Sequence, residues 1–342
     1  MPNKDRVLIA GIGGASLGTE ILKCLLLSKE SYTIFGCDIS PLAYGHYQHG
    51  FEKTFVIERD QYIDSVLQVC REVSIQCVIP GGEEPMVLLS EARSRLSDEG
   101  VTLVGNSPSV VSRCSDKGMT FQTLDRQGYK TPLTLNINQA EDLDSLTFPC
   151  IVKPATGTGG SNFVFLAQDK EGALLFYYYL THNHKKVIAQ EYIPVDQGEF
   201  TVGVLSFPDG QLFGSVALRR MFHCKLSVQE KSVAGLISSG YSQGIIDDFP
   251  QVRKVAEDIA MTLGSTGPLN VQGRMREGSF IPFEINPRFS ASTYLRAMAG
   301  FNEVDIYLQY SLHGARIAPP AVKYGYYLRS LCEVFITREK VL

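Results

Sequence analysis

The first hundred residues alternate short apolar runs with segments of helical period, and this alternation restricts the fold more than any other feature of the chain. Val7-Leu8-Ile9-Ala10, Tyr32 to Cys37, Phe55-Val56-Ile57, Cys77-Val78-Ile79-Pro80 and Thr102-Leu103-Val104 read as buried strands. Thr19 to Leu27, Tyr62 to Val73 and Pro85 to Leu96 carry helical spacing between them. Parallel strands need crossover connections, and an amphipathic helix is the usual one. The expected fold of this part is a parallel, doubly wound α/β sheet.

The texture then changes. Asn106-Ser107-Pro108 is turn-like, and Ser109 to Arg126 reads as one or two helices with Ser115 and Asp116 as caps. Thr131-Pro132 begins an extended segment. From about Cys150 strands and hairpins dominate: Cys150 to Lys153, Asn162 to Ala167, Val187 to Ala189, Phe200 to Phe207 and Leu212 to Leu218. Pro208-Asp209-Gly210 has hairpin-turn chemistry. Gln251 to Leu263 reads as an amphipathic helix, and Leu269 to Arg274 with Ser279 to Ile285 as a further strand pair. The order is α/β first, then α+β, without an internal repeat.

Composition excludes some partners. Net charge is −4, so no broad basic field exists to hold a nucleic-acid backbone. No stretch approaches the roughly 20 apolar residues of a membrane span, and Met1 to Arg6 is too polar to open a secretory signal. The eight cysteines are scattered without a C-x-x-C pair, which argues against a disulfide scaffold or a zinc knuckle. Reduced thiols in a cytoplasmic protein is the simple expectation. The basic residues must act locally, on something small.

Three motifs carry chemistry. Gly11-Ile12-Gly13-Gly14-Ala15-Ser16 follows a strand and opens a helix, which suits backbone amides meeting a phosphate. With Asp38 at the end of the next strand it leaves an NAD-dependent oxidoreductase as a rival reading, although Ser16 replaces the third glycine. The second motif is Lys153 followed by Thr156-Gly157-Thr158-Gly159-Gly160-Ser161. Strands flank this loop on both sides, so it is not a Walker-type loop, which needs a helix. A loop of Gly, Thr and Ser can fold over a triphosphate, with the lysine ammonium at its base. A mobile surface hairpin is the plainer alternative.

The third motif is Phe283-Glu284-Ile285-Asn286-Pro287-Arg288. Two residues apart on a strand, Glu284 and Asn286 share a face. A carboxylate and an amide oxygen together make a hard-oxygen site for Mg²⁺ (or Mn²⁺) that phosphates complete. Gln272, on the preceding strand, could add an oxygen if the strands pair. Arg288 could neutralise a phosphoryl group in flight. The plain alternative is a polar strand face in water.

Together these stretches, with Ala189-Gln190-Glu191-Tyr192-Ile193-Pro194 and Gly198-Glu199-Phe200-Thr201-Val202, resemble the ATP-grasp superfamily, in particular the carbamoyl-phosphate synthetase large-subunit and amino-acid ligase branch. The resemblance runs from about Arg6 to about Ala315. It implies a Rossmann-like pre-ATP-grasp domain over 1–112, a small ATP-grasp lobe with the phosphate loop over 113–190, and a lobe with the metal site over 191–342.

The resemblance also implies roles. Lys117 and Lys153 would contact ATP phosphates, with Lys153 and Arg288 catalytic. Thr156, Gly157, Thr158, Gly159, Gly160 and Ser161 would cover the phosphates. Gln190, Glu191, Tyr192 and Ile193 would form the adenine hinge, and Glu199 would accept from the ribose hydroxyls. Gln272, Glu284 and Asn286 would be the metal-side residues. Many relatives have an acid where Gln272 stands. Arg219 or Arg220 would anchor a substrate carboxylate. The implied activity is an ATP- and Mg²⁺-dependent, ADP-forming ligase that activates a carboxylate as an acyl phosphate and joins it to an amine. A non-catalytic ATP-binding protein of the same fold is the other alternative. The implied partners are small-molecule carboxylate and amine substrates, with a homodimer as one assembly open to the chain.

Overall fold

The computed structural model describes residues 4–13, 17–157 and 162–342. Its first sheet has five parallel strands in the order β3-β2-β1-β4-β5: β1 (Asp5–Ala10), β2 (Tyr32–Asp38), β3 (Lys53–Val56), β4 (Cys77–Pro80) and β5 (Thr102–Leu103). The apolar runs are continuous because both faces are covered. Val7 and Ile9 enter one core with α1 (Leu17–Leu27), whereas Leu8 and Ala10 enter a second core with α2 (Tyr62–Glu72). Strand order reverses between β1 and β4. There the turns after the two strands touch: a Cβ added to Gly81 would lie 1.9 Å from the Gly11 carbonyl oxygen.

The helix expected over Pro85 to Leu96 is two helices, α3 (Glu83–Glu91) and α4 (Arg93–Asp98), broken at Ala92. Beyond the break, Arg93 donates to the carbonyls of Leu103, Gly105 and Asn106. These contacts tie α4 to the chain leaving β5. Two further helices follow, α5 (Pro108–Ser115) and α6 (Lys117–Arg126). Asp116 caps α6 by accepting from the Met119 amide at 2.9 Å, as the sequence expects.

A four-stranded sheet in the order β6-β9-β7-β8 comes next, from β6 (Thr134–Ile137), β7 (Cys150–Pro154), β8 (Phe165–Ala167) and β9 (Val187–Glu191). It is covered by α7 (Lys170–His182), a helix that sequence reading misses. Its run of Leu, Phe and Tyr blurs the helical period. The start signal, Asp169 accepting from the Gly172 amide at 2.8 Å, lies in a plain Asp-Lys-Glu-Gly stretch.

The largest sheet has six antiparallel strands in the order β16-β15-β10-β11-β14-β17. They are β10 (Glu199–Ser206), β11 (Leu212–Arg220), β14 (Gly244–Ile246), β15 (Pro268–Arg276), β16 (Ser279–Asn286) and β17 (Gly325–Tyr327). A two-stranded ribbon, β12 (Val228–Ser232) and β13 (Gly235–Ser238), stands beside it. The helix α8 (Pro250–Leu263) covers one face with α5 and α6, so α6 shares its core with this sheet rather than with the four-stranded one. The helices α9 (Thr293–Met298) and α10 (Glu303–His313) pack with α1 and with Leu205, Phe207 and Val216 in one continuous core. That core fixes the first sheet against the largest one, with the C-terminal edge of β4 facing β16.

Candidate active site

Register builds the floor of the site. Gln272 pairs with Glu284 and Asn270 with Asn286, while Thr201 pairs with Gln272 on the other side. Glu199 pairs with Arg274. Side chains two residues apart share a face, so Asn270, Gln272, Arg274, Glu284 and Asn286 stand together. The Asn286 amide donates to Glu284 Oε1 at 3.1 Å, and Thr201 donates to Asn270 Oδ1 at 2.8 Å. The ladder slips by one residue beside Gln272/Gly273, leaving Phe283 without a register partner on β15. Such bulges re-aim groups near sites.

Here the bulge frees a carbonyl. Lys153 Nζ, arriving from β7, donates to the Phe283 carbonyl at 3.3 Å and to Gln190 Oε1 at 2.8 Å. Gln190 is itself held by donation to Thr134 Oγ1 at 2.9 Å. Burial pulls the Lys153 ammonium down to about 8, with Glu284 opposing the shift and Lys117 adding to it. Lys153 and Glu284 therefore share one cavity: a narrow slot lined also by Lys117, Ile151, Val164, Tyr192, Phe283 and Arg274.

The expected hinge is in the wall of that slot. Gln190, Glu191, Tyr192 and Ile193 all line it, opposite Leu236 and Ile237 of β13. Arg274 braces the turn, a role that sequence reading misses. It donates to Glu199 Oε2 at 2.8 Å, to the Ile193 carbonyl at 2.5 Å and to the Leu236 carbonyl at 2.7 Å. The only sequence signal was its place two residues after Gln272. Tyr192 accepts from the Leu236 amide at 2.8 Å, which ties the hinge to the ribbon. Lys117 reaches the slot because α6 begins there, its backbone amide donating to the Ala155 carbonyl at 3.0 Å.

A second, broader cavity of about 360 Å³ adjoins the slot at Glu284. One wall is the sheet floor with Arg220, Gln272, Asn286 and Arg288; the other is Gly81, Gly82 and Glu83 at the end of β4. Arg220 donates to the Ser239 carbonyl at 2.7 Å and lies 3.2 Å from Glu199 Oε1. Arg288 donates to the Phe289 carbonyl at 3.0 Å. The buried Nε atoms of Arg220 and Arg288 have no hydrogen-bond partner among the described residues. The buried Arg220 and the half-buried Arg288 are the cationic side chains on this cavity's lining, beside the carboxylates of Glu83 and Glu284, so an anion here would be held by the two guanidinium groups rather than by a net positive charge.

Metal donors are sparse. Among the described residues no cluster of three His, Cys, Asp or Glu side chains could cage a cation. Glu284 with the amide oxygens of Gln272 and Asn286 fits a hard cation that takes its remaining oxygens from phosphates and water.

Two expectations need correction. Arg219 is exposed and stands on the opposite face of β11 from Arg220, so only Arg220 faces the cavity. Alternation along a strand forces this choice. Glu199 is fully buried, with Arg220 on one side and Arg274 on the other, and lines neither cavity. Its place is inside the arginine network rather than on the slot surface.

Thr156 and Gly157 follow β7 and are exposed, outside the slot lining. Thr158, Gly159, Gly160 and Ser161 lie outside the described residues, as do Gly14, Ala15 and Ser16 of the first Gly-rich turn. Asp38, the acid of the NAD reading, accepts from the Ile12 amide at 2.8 Å and the Ser40 amide at 3.1 Å, which commits both of its oxygens to the backbone.

Comparison with known proteins places this geometry. Residues 114–292 match the ATP-grasp domain, and residues 7–104 match the PylC-like N-terminal domain. The carbamoyl phosphate synthase large chain of Vibrio cholerae serotype O1 is 22% identical over 301 residues, covering 84% of this chain. The chain spans only 27% of that protein's length. An L-amino acid ligase from Bacillus licheniformis superposes with a TM-score of 0.66 at 18% identity, covering 92% of this chain and 75% of that one. A D-alanine–D-alanine ligase from Bacillus anthracis does so with a TM-score of 0.62 at 18% identity, covering 91% and 98%. The structures share the fold, and the domain match covers more than half of the sequence: the chain belongs to the ATP-grasp family.

Proposed function

We propose that the protein is an ATP- and Mg²⁺-dependent ligase that phosphorylates a carboxylate and joins the acyl group to an amine. One observation carries this reading: Lys153 and Glu284, from two different sheets, wall the same slot. At the hinge Tyr192 and Ile193 face Leu236 and Ile237, an apolar surface suited to a base, and the adjoining cavity holds the arginines suited to an anion. In this reading 1–112 serves the substrate side, 113–190 carries the phosphate loop, and 191–342 carries the metal-side residues. The solved biotin carboxylase domain of the Hydrogenobacter thermophilus 2-oxoglutarate carboxylase, in complex with MgADP and bicarbonate, has a TM-score of 0.67 at 15% identity, which supports the nucleotide assignment.

The chain's own groups have distinct tasks. The hinge holds the base, and Lys117 and Lys153 hold the phosphates. Arg220 orients the substrate carboxylate. A carboxylate oxygen attacks the γ-phosphorus in line, the bond to the ADP oxygen breaks, and Arg288 stabilises the charge spread over the transferring group. Glu284, Asn286 and Gln272 would hold Mg²⁺ or Mn²⁺, which supplies charge neutralisation at the phosphates. The amine nitrogen then attacks the acyl carbon, phosphate leaves, and the amine proton passes to solvent. Arg274 and Gln190 position the hinge and Lys153.

The working compartment in this reading is the cytoplasm, in keeping with eight free cysteines. No helix among the described residues is long and apolar enough to cross a membrane. The test is a phosphate-release screen of amino acids and small carboxylates with ATP and Mg²⁺. Substrate-dependent ADP formation supports the reading. Its absence across the whole panel, with ATP still bound, would leave a non-catalytic ATP-binding protein.

A further inference from the structure

The loop 287–292 carries Arg288 between β16 and α9. Its inner anchor is the fully buried Arg296, which donates to Ser292 Oγ at 2.7 Å and to Ser290 Oγ at 3.1 Å. Its outer anchor comes from far along the chain. Arg329 Nη2 donates to the Ala291 carbonyl and to Glu20 Oε2, the latter at 3.0 Å. Ala291 lines the broad cavity, and Glu20 belongs to α1. One guanidinium therefore ties the Arg288 loop to a helix of the first domain.

The segment that supplies Arg329 is otherwise unsecured. Leu328 and the residues from Ser330 to Phe335 are exposed, whereas the Arg329 side chain is 11% exposed. From Leu328 to Phe335, every hydrogen bond to the rest of the described residues is made by Arg329, whose backbone amide also donates to Gln243 Oε1 at 3.4 Å. The segment borders a cavity of about 560 Å³ that shares Ala291 and Tyr241 with the broad one. Arg329 also lies beyond residues 114–292, the stretch matched to the ATP-grasp domain. Arg288 depends on its loop for its place. It donates to the Phe289 carbonyl within that loop, and its Nη2 is 3.9 Å from Glu83, too far for a hydrogen bond. A charge-assisted bond to the Ala291 carbonyl is thus a strong outer hold on the loop that aims Arg288.

We infer that Arg329 is a positioning residue of the site: by holding the Ala291 carbonyl it sets the loop that aims Arg288 at the transferring group, so the site is complete only while the segment from Leu328 to Glu333 is seated. This inference rests on the ligase reading above.

The test compares Arg329→Met, Arg329→Lys and Glu20→Gln in the full chain. Turnover is read as ADP release with ATP, Mg²⁺, hydroxylamine as acceptor, and whichever acid of the amino-acid and small-carboxylate panel the wild type turns over fastest. Arg329→Met should lower kcat by about ten- to a hundredfold, with ATP affinity by calorimetry and KM for the acid within about threefold of the wild type. Arg329→Lys, whose single ammonium can serve one of the two partners, should restore part of the loss. Glu20→Gln keeps the contact to Ala291 and should stay within about threefold in kcat. Chymotrypsin, which cuts at the exposed Leu328, Leu331 and Phe335, should cleave Arg329→Met faster than the wild type, a readout that needs no turnover.

Three results would overturn the inference. One is an unchanged kcat in Arg329→Met. Another is a fall in kcat matched by equal losses of ATP affinity and melting temperature, which marks Arg329 as a support of the fold alone. The third is Glu20→Gln slowing turnover as much as Arg329→Met, which makes the tie to α1, not the hold on Ala291, the one that matters. Turnover of no acid by the wild type would remove the ligase reading itself, a failure distinct from these three.

Discussion

Lys153, carried by the four-stranded sheet, donates to the Phe283 carbonyl at 3.3 Å, one residue before Glu284 on the six-stranded sheet. The two sheets meet at this bond, which closes the slot between the hinge and the Glu284 cluster. The bulge at Phe283 leaves its carbonyl without a register partner, so a local irregularity of β16 becomes the joint of the site.

Removing either side of that joint separates binding from chemistry. Lys153→Met should lower ATP affinity by about ten- to a hundredfold, because a charged phosphate contact is worth roughly 1.5–3 kcal/mol. Titration calorimetry measures this, and an unchanged affinity would exclude Lys153 from the phosphate contacts. Glu284→Ala should abolish turnover while far-ultraviolet circular dichroism stays unchanged.

The Lys153 ammonium, pulled down to about 8 by burial, makes nucleotide binding depend on pH. The free protein loses this proton above about 8, whereas the phosphate-bound lysine keeps it. Binding between pH 8 and the ordinary lysine range should therefore take up a proton. ATP affinity should weaken by about tenfold per pH unit in that window. Fold stability moves the other way, because the unfolded chain holds this proton up to the ordinary range and the folded chain does not. Calorimetry in two buffers of different ionisation heat reads the uptake, and Lys153→Met should abolish it.

Glu199→Gln is expected to act on the fold. The side chain lies fully buried between Arg220 and Arg274, and removing one charge from a buried cluster costs about 3–5 kcal/mol. Denaturant unfolding should show that loss. A variant of normal stability with a raised KM for ATP would return Glu199 to the nucleotide surface.

The two adjacent arginines should behave oppositely. Arg220→Ala should reduce kcat/KM for the acid substrate by a hundredfold or more, in line with about 3 kcal/mol for a charged contact. Arg219→Ala, on the exposed face, should stay within about threefold of the wild type. Equal effects would place both side chains at the substrate, against the alternation along β11.

Asn106 is a support that the sequence hid as an ordinary turn residue. Fully buried, it donates to the carbonyls of Pro268 at 2.7 Å and Pro287 at 3.2 Å, and accepts from the Thr266 amide at 2.8 Å and Ser265 Oγ at 2.9 Å. It thereby fixes the turn between Asn286 and Arg288. Asn106→Ala should destabilise by about 2–4 kcal/mol, since several buried groups lose partners at once. It should also lower kcat more than ATP affinity.

The sequence by itself determined the elements with strong periodicity and the identity of the charged motifs. Val7 to Ala10 is apolar throughout because two cores cover its two faces, and such a run can be read without coordinates. The Glu284/Asn286 pair could be placed on one strand face from spacing alone. Tertiary structure decided what lies across from what. Only strand register put Gln272 beside Glu284, and only the packing of sheets brought Lys153 and Glu83 to them. The same holds for Glu199, whose local motif matched a ligand contact while its cross-strand neighbours, Arg274 and Arg220, enclosed it. Local period is encoded within a few residues. Contacts between residues far apart in the chain depend on how whole sheets pack, which spacing along the chain does not record.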